Sequence, residues 1–208
     1  MTRIRAIAWT FGIAACAGLG LAAGPSQSGQ RPDPAALISA QQEAMKQLAV
    51  MDGVWRGDAW TMLPGGQKQT LTQTERIGPF LDGSVKVIEG RGYEPDGRVG
   101  FNAFAVVSYN PATKAFTLRS YAQGNVGDFP FTPTADGYTW EIPAGPMTIR
   151  YTATIKGDAW TEVGDRSVPG SAPMRFFGMK LTRVGDTDWP AAGAVPPKQR
   201  PEAGGGAC

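Results

Sequence analysis

The chain of 208 residues contains no histidine. That absence removes His-liganded zinc, haem held through a proximal imidazole, and every nucleophile triad that uses imidazole as its base. Cysteine is scarce too, with only Cys16 and Cys208 present. One lies in the N-terminal apolar stretch and the other is the last residue, so no disulfide framework is available and stability has to come from packing. Net charge is equally low. At +2, with Lys and Arg scattered, the chain lacks the positive field that holds a phosphate backbone, and no nucleic-acid partner is expected. What is abundant is Gly (28) and Pro (17), spread between short apolar stretches. The turns of an all-β protein need that distribution, and a helical bundle does not.

The N-terminus reads as an address. Arg3 and Arg5 precede an uncharged apolar run over residues 6–23, the layout of a secretory signal peptide spanning residues 1–23. A retained membrane anchor needs about 18–20 apolar residues, a length met here only by counting many Ala and Gly. Within the run, Ile13-Ala14-Ala15-Cys16 resembles a bacterial lipobox, which would make Cys16 a lipidated first residue. Cleavage after Ala22 or Ala23 accounts for the whole run and is the favoured reading. The first alternative leaves the domain lipid-anchored in the envelope, the second periplasmic or secreted, and neither leaves a transmembrane span in the mature chain.

Residues 24–32 are rich in Gly, Ser, Gln and Pro, which is linker chemistry. Asp33 then offers an N-cap and Pro34 suits the first helical position, so a helix is predicted over residues 33–52. Leu37, Ala40, Ala44, Leu48 and Met51 form one narrow apolar stripe on it, which should lie against or close one end of the domain that follows. From Gly53 the period changes to two. Turn signals such as Pro64-Gly65-Gly66, Asp82-Gly83, Pro95-Asp96-Gly97, Asn110-Pro111 and Gly157-Asp158 divide residues 53–184 into about ten strands. These are placed at 54–63, 68–77, 84–92, 100–109, 115–122, 126–132, 137–142, 147–156, 159–166 and 173–184. The expected fold is all-β, a closed antiparallel up-and-down β-barrel, because hairpin-linked strands without intervening helices hide their edges by closing. A two-sheet sandwich is the alternative. Residues 185–208 carry no periodicity and read as a flexible tail, with Trp189 able to dock on the barrel. The tetrapeptide Gly57-Asp58-Ala59-Trp60 recurs at Gly157-Asp158-Ala159-Trp160, but the flanks differ and no repeat is inferred.

Alternation gives the strands their faces. Phe177, Met179, Leu181 and Arg183 share one face of the last strand, and Trp55, Gly57 and Ala59 share one face of the first. Both sets are assigned inward, with Arg183 expected to stack on the Trp55 indole at the closed end. Gly53-Val54-Trp55 opening the first strand, with Arg183 on the last, resembles the signature of the lipocalin and calycin superfamily of closed barrels. The stretches Thr74-Glu75-Arg76, Leu81-Asp82-Gly83, Ile88-Glu89-Gly90-Arg91-Gly92-Tyr93, Arg119-Ser120-Tyr121, Gly127-Asp128-Phe129 and Arg175-Phe176-Phe177 resemble a family of bacterial exported domains of unknown function. That resemblance implies a calycin-like barrel and lends no activity. The Gly53 to Gly57 opening is also similar to the nitrobindin branch, which holds haem through a histidine near the end of its chain. That residue is absent here, so haem is not carried over, and no other cofactor or metal is implied.

Candidate chemistry is confined to charged and aromatic strand residues. Glu75, Glu89, Glu141 and Glu162 lie in strands beside Arg76, Arg91, Arg119, Arg150 and Arg175. Any that point inward mark a buried network or a ligand site, whereas outward ones pair across strands on a wet surface. The ligand-binding candidates are Glu89, Arg91, Arg119, Tyr121, Arg150, Glu162 and Arg175. In one arrangement Arg119, Arg150 and Tyr121 form a polar end to an apolar lumen that takes a carboxylate, although Arg150 shares its face with Thr148, Thr152 and Thr154 and reads more easily as outward. Trp60, Tyr93, Phe129, Trp140 and Trp160 could stack on a flat ligand or fill the core. Gly90-Arg91-Gly92 reads as a bend in a strand rather than a phosphate-binding turn. The expected function is non-enzymatic binding of a small apolar or amphipathic ligand in the lumen. The opposing class is a structural or interaction module with a packed lumen, and a third is a hydrolase using a carboxylate pair such as Glu141 and Glu162. A cavity below roughly 300 Å³ would decide for the packed module.

Overall fold

The computed structural model describes residues 32–190, so the expected signal segment, Cys16 and residues 191–208 lie outside the described residues. The Asp33 side chain accepts a hydrogen bond from the Ala35 N–H at 3.0 Å, and Pro34 occupies the first turn of helix α1 (Pro34–Met45). The chain tightens into a 3₁₀ helix over Lys46–Met51 before the first strand. Ala44, Met45, Leu48 and Met51 are buried, while Leu37, expected on the same stripe, is exposed and Ala40 is half-buried. The apolar face thus works only in its second half. Gln41 Nε2 donates to the Tyr109 carbonyl and Gln42 Nε2 to the Asp82 carbonyl, which holds the helix across one rim. None of the described helices is long and apolar enough to cross a membrane.

Ten strands follow: β1 (Gly53–Met62), β2 (Lys68–Phe80), β3 (Val85–Tyr93), β4 (Val99–Asn110), β5 (Ala115–Ala122), β6 (Asn125–Thr134), β7 (Gly137–Ala144), β8 (Met147–Lys156), β9 (Ala159–Ser167) and β10 (Met174–Gly185). Each pairs antiparallel with its neighbour in sequence, and β1 pairs with β10, which closes the cylinder. The sandwich is thereby excluded. The two Gly-Asp-Ala-Trp copies fall inside β1 and at the β8–β9 hairpin, so they are not repeats of one structural unit.

The inward faces assigned to the first and last strands hold. Trp55, Ala59, Met179 and Leu181 are buried in a core that also takes Leu48, Met51, Ile77 and Val107. Trp55 has no exposed surface, meets the Trp160 ring edge-on at 5.6 Å and donates its indole N–H to the Met51 carbonyl at 3.0 Å. That bond ties the helical segment to the barrel floor. Lys86, inward on β3 and 3% exposed, meets the Asp52 carboxylate at 2.5 Å where helix passes into strand.

Arg183 is the register partner of Trp55. Its guanidinium does not take the indole face. Nη2 donates to the Asp52 carbonyl at 3.2 Å and to Asp186 Oδ1 at 2.8 Å, because carbonyl and carboxylate oxygens satisfy its hydrogen-bond donors better than a ring does. Gly53 has φ +144° and lies so close that a Cβ there would sit 2.9 Å from Arg183 Nε, which explains glycine at the opening of β1. Past β10, Trp189 packs edge-on against Phe80 at 5.7 Å with Arg76 over its ring, so residues up to Pro190 run along the outer wall of β2.

Replacing Trp55 by Ala removes a fully enclosed indole and the tie to Met51. We expect a loss of about 3–5 kcal/mol in urea unfolding followed by far-ultraviolet circular dichroism. A loss under about 1 kcal/mol would mean that the floor can collapse around the gap.

Candidate functional site

The upper part of the lumen is hollow. A cavity of about 690 Å³ lies above the Trp55 floor and is lined by inward positions of all ten strands. It reaches the rim opposite the helix, where Thr61, Gln69 and Gln123 contribute. One wall is aromatic: Trp140 and Tyr151 stack at 4.2 Å with planes 4° apart, and Phe131 stacks on Tyr138 at 4.9 Å.

The polar lining is short and comes from inward positions on β2, β7 and β9. On β2, Gln73 and Glu75 share the face of buried Ile77, and Gln73 Nε2 donates to Glu75 Oε1 at 2.7 Å. On β9, Glu162 shares the face of Trp160 and accepts from the Tyr138 hydroxyl at 2.7 Å and from the Trp140 indole N–H at 3.1 Å. Space for the Glu75 carboxylate comes from β3, where a Cβ on Gly90 would lie 2.7 Å from Glu75 Oε1. Gly90 and Gly92 thus serve as clearance inside the barrel, and the bend expected near them is a register shift between Gly92 and Tyr93.

Burial dominates the electrostatics. It pushes the Glu75 carboxyl up to about 8, helped by the negative charges of Glu162 and Glu89 and opposed by the Gln73 hydrogen bond. Glu162 is raised by the same burial and opposed by its bonds from Tyr138 and Trp140. Burial raises the Tyr138 phenol well above its ordinary value and Tyr151 to about 12. Among the described residues the Trp160 indole N–H has no acceptor although the residue is only 2% exposed. Tyr138 is close enough to be influenced by it, but not in hydrogen-bond geometry.

Of the seven candidates read from the sequence, Glu162 alone lines this cavity. Inward positions on β3 are Ile88 and Gly90, on β5 Leu118, Ser120 and Ala122, and on β8 Tyr151, which turns Glu89, Arg91, Arg119, Tyr121 and Arg150 outward. There they pair in water: Arg91 with Glu89 at 2.6 Å, Arg119 with Asp128 at 3.0 Å and with the Tyr121 hydroxyl at 3.0 Å, Arg150 with Glu141 at 2.5 Å. Arg175, at the β10 bulge, is half-exposed and pairs with Asp165 at 3.0 Å. Glu89, Arg91 and Tyr121 do meet, but in a shallow outer depression shared with Phe104. Arg119, Arg150 and Tyr121 therefore form no carboxylate-binding end of the lumen, and the Glu141–Glu162 pair is split across the wall. The inward Glu75, Gln73, Tyr138 and Tyr151 were the residues to find; the face of Ile77 on β2 was the available signal for the first two.

These features define a class, a calycin-like closed barrel with a helix-closed floor and a lumen open at the other rim. No family model matches the sequence, and no curated protein does. Among solved structures the chain is similar to Rv2717c from M. tuberculosis, with 12% identity and a TM-score of 0.51 over 67% of this chain and 96% of that one. It also overlaps the S-type phycobiliprotein lyase CPES from Guillardia theta, with 12% identity and a TM-score of 0.43 over 75% of this chain and 99% of that one. The first likeness is one of fold alone, and the second is too loose to argue from.

A carboxyl raised from 4.5 to about 8 binds its proton more tightly in the folded state, so its contribution to stability is whole at low pH and drains away as pH rises across that interval. Glu162, also raised, acts in the same direction. The unfolding free energy measured in urea should therefore fall between pH 5 and 8 by an amount on the order of a few kcal/mol. Glu75→Gln should flatten that fall and leave the variant the more stable protein at pH 8; an unchanged slope would place the titration elsewhere.

Proposed function

We propose that this protein is a non-catalytic carrier or sensor that takes a small apolar or amphipathic molecule into its lumen. The observation behind this reading is the cavity of about 690 Å³, within the range of roughly 300–1,000 Å³ common to small-molecule sites and above the size at which a packed module would be preferred. Its composition fits the same purpose, because aromatic side chains offer apolar area while a few convergent polar groups fix orientation. Binding is favoured over hydrolysis because the carboxylate pair offered for that reaction is divided, Glu162 lining the hollow and Glu141 standing on the far side of the wall with Arg150. We further propose that the domain works outside the cytoplasm, on the strength of Arg3, Arg5 and the apolar run over residues 6–23, either freed by cleavage or held through a lipidated Cys16.

Native mass spectrometry of protein purified from its own cell envelope should show a retained small molecule. In parallel, the neutral apolar probe N-phenyl-1-naphthylamine should gain fluorescence saturably at one equivalent. Ala103→Trp, which fills the lumen from β4, should abolish that gain while preserving the circular dichroism of the barrel. Probe fluorescence that never saturates, or that survives the blocking substitution, would remove the lumen as the site.

A mass change equal to loss of residues 1–22 or 1–23 on export supports the cleaved form; retention of the full chain in the cytoplasm would overturn the proposed location.

A further inference from the structure

The ionisable side chains lining the cavity are Glu75, Glu162, Tyr138 and Tyr151; among the described residues, no Lys or Arg lines it. The cations nearest in the fold are accounted for elsewhere. Lys86 shares the inward face of β3 but sits at the floor against Asp52. Arg166 follows Glu162 along the inward side of β9, and its guanidinium covers the Phe176 ring at 4.3 Å at the rim. Arg91, Arg119, Arg150 and Arg175, outside the lumen, are held by Glu89, Asp128, Glu141 and Asp165. Two carboxyl groups thus stand in a desolvated wall with no cation beside them.

A buried carboxylate is costly until a proton or a positive charge joins it. In the empty barrel the proton serves for Glu75. A ligand ammonium would serve better, since it attracts both carboxylates across a low-dielectric space and meets the faces of Trp140, Tyr151 and Phe129 around them. A ligand carboxylate would instead bring further negative charge against the same two carboxyl groups. The orphaned Trp160 N–H, 2% exposed and in the lining, is an independent sign that a guest belongs in the hollow; as a donor it calls for an acceptor atom elsewhere on the guest and not for the ammonium.

We propose that the lumen selects an amphipathic organic cation, an amine whose protonated nitrogen lies against Glu75 and Glu162 while its apolar part covers the aromatic wall. This rests on the lumen being a binding site at all, and it adds the charge of the guest. Binding displaces the proton from Glu75, so affinity tightens as pH rises toward 8, up to roughly tenfold per pH unit for one proton released.

The test is displacement of bound N-phenyl-1-naphthylamine by decylamine, decanol and decanoate, three guests of one chain length and different charge, each below its micelle concentration. At pH 8 decylamine should displace the probe at a concentration roughly tenfold lower than decanol, as charge-assisted contacts allow, and decanoate should be the weakest. Glu75→Gln together with Glu162→Gln should abolish the preference for decylamine and leave decanol unchanged, which also shows that the variant folds. Decanol equal to or better than decylamine, or a preference that survives both substitutions, overturns the cation assignment and leaves lumen binding standing. If the probe itself fails to bind, it is the lumen-binding reading that falls.

Discussion

The pairing of β1 with β10 is the constraint on which everything else depends. Once the cylinder closes, no strand edge is left to satisfy, and each residue of a regular strand faces either the lumen or water. The floor follows from that closure. Trp55 enters at the seam, its indole N–H reaches back to Met51, and Arg183 across the seam clamps the Asp52–Gly53 backbone. Seam and helical plug are therefore one packed unit, and the hollow begins only above it.

Hollowness itself is a property of small residues. Gly90, Ala103, Ser120 and Ala122 occupy inward positions on β3, β4 and β5, opposite the bulky Trp140, Tyr151 and Phe177. One side of the cylinder is thinned so that the other can present aromatic faces. The carboxyl of Glu75 uses that thinning directly, since Gly90 offers no side chain to displace it. Burying such a group lowers stability unless something offsets it, and at Glu75 the Gln73 amide and a bound proton supply that offset.

How much of this was legible in the sequence varies from strand to strand for a physical reason. Strand positions came close because turn residues punctuate them, and Asp33-Pro34 announced the helix start. Faces were legible where large apolar residues alternate with polar ones, as in β1 and β10. They were not in the upper parts of β3 and β5, where the inward residues beyond Ile88 and Leu118 are Gly90, Ser120 and Ala122; small side chains carry no apolar signal, so the outward Arg91, Arg119 and Tyr121 looked equally eligible for the lumen. Bulges add to the difficulty. The shift between Arg175 and Phe177 brings both Phe176 and Phe177 to the cavity and breaks the simple count. For Arg183 the register was readable but the contact was not, because a long flexible side chain chooses among oxygens that only the folded chain brings near.

Trp140 gives the lumen an optical voice of its own. Its indole is hydrogen-bonded to the Glu162 carboxyl, stacked on Tyr151 and open to the hollow. Any guest or any change of protonation at that carboxyl alters the surroundings of this chromophore directly. Occupancy of the barrel is thus written into its intrinsic emission, and an unlabelled preparation carries the means to report when its interior is filled.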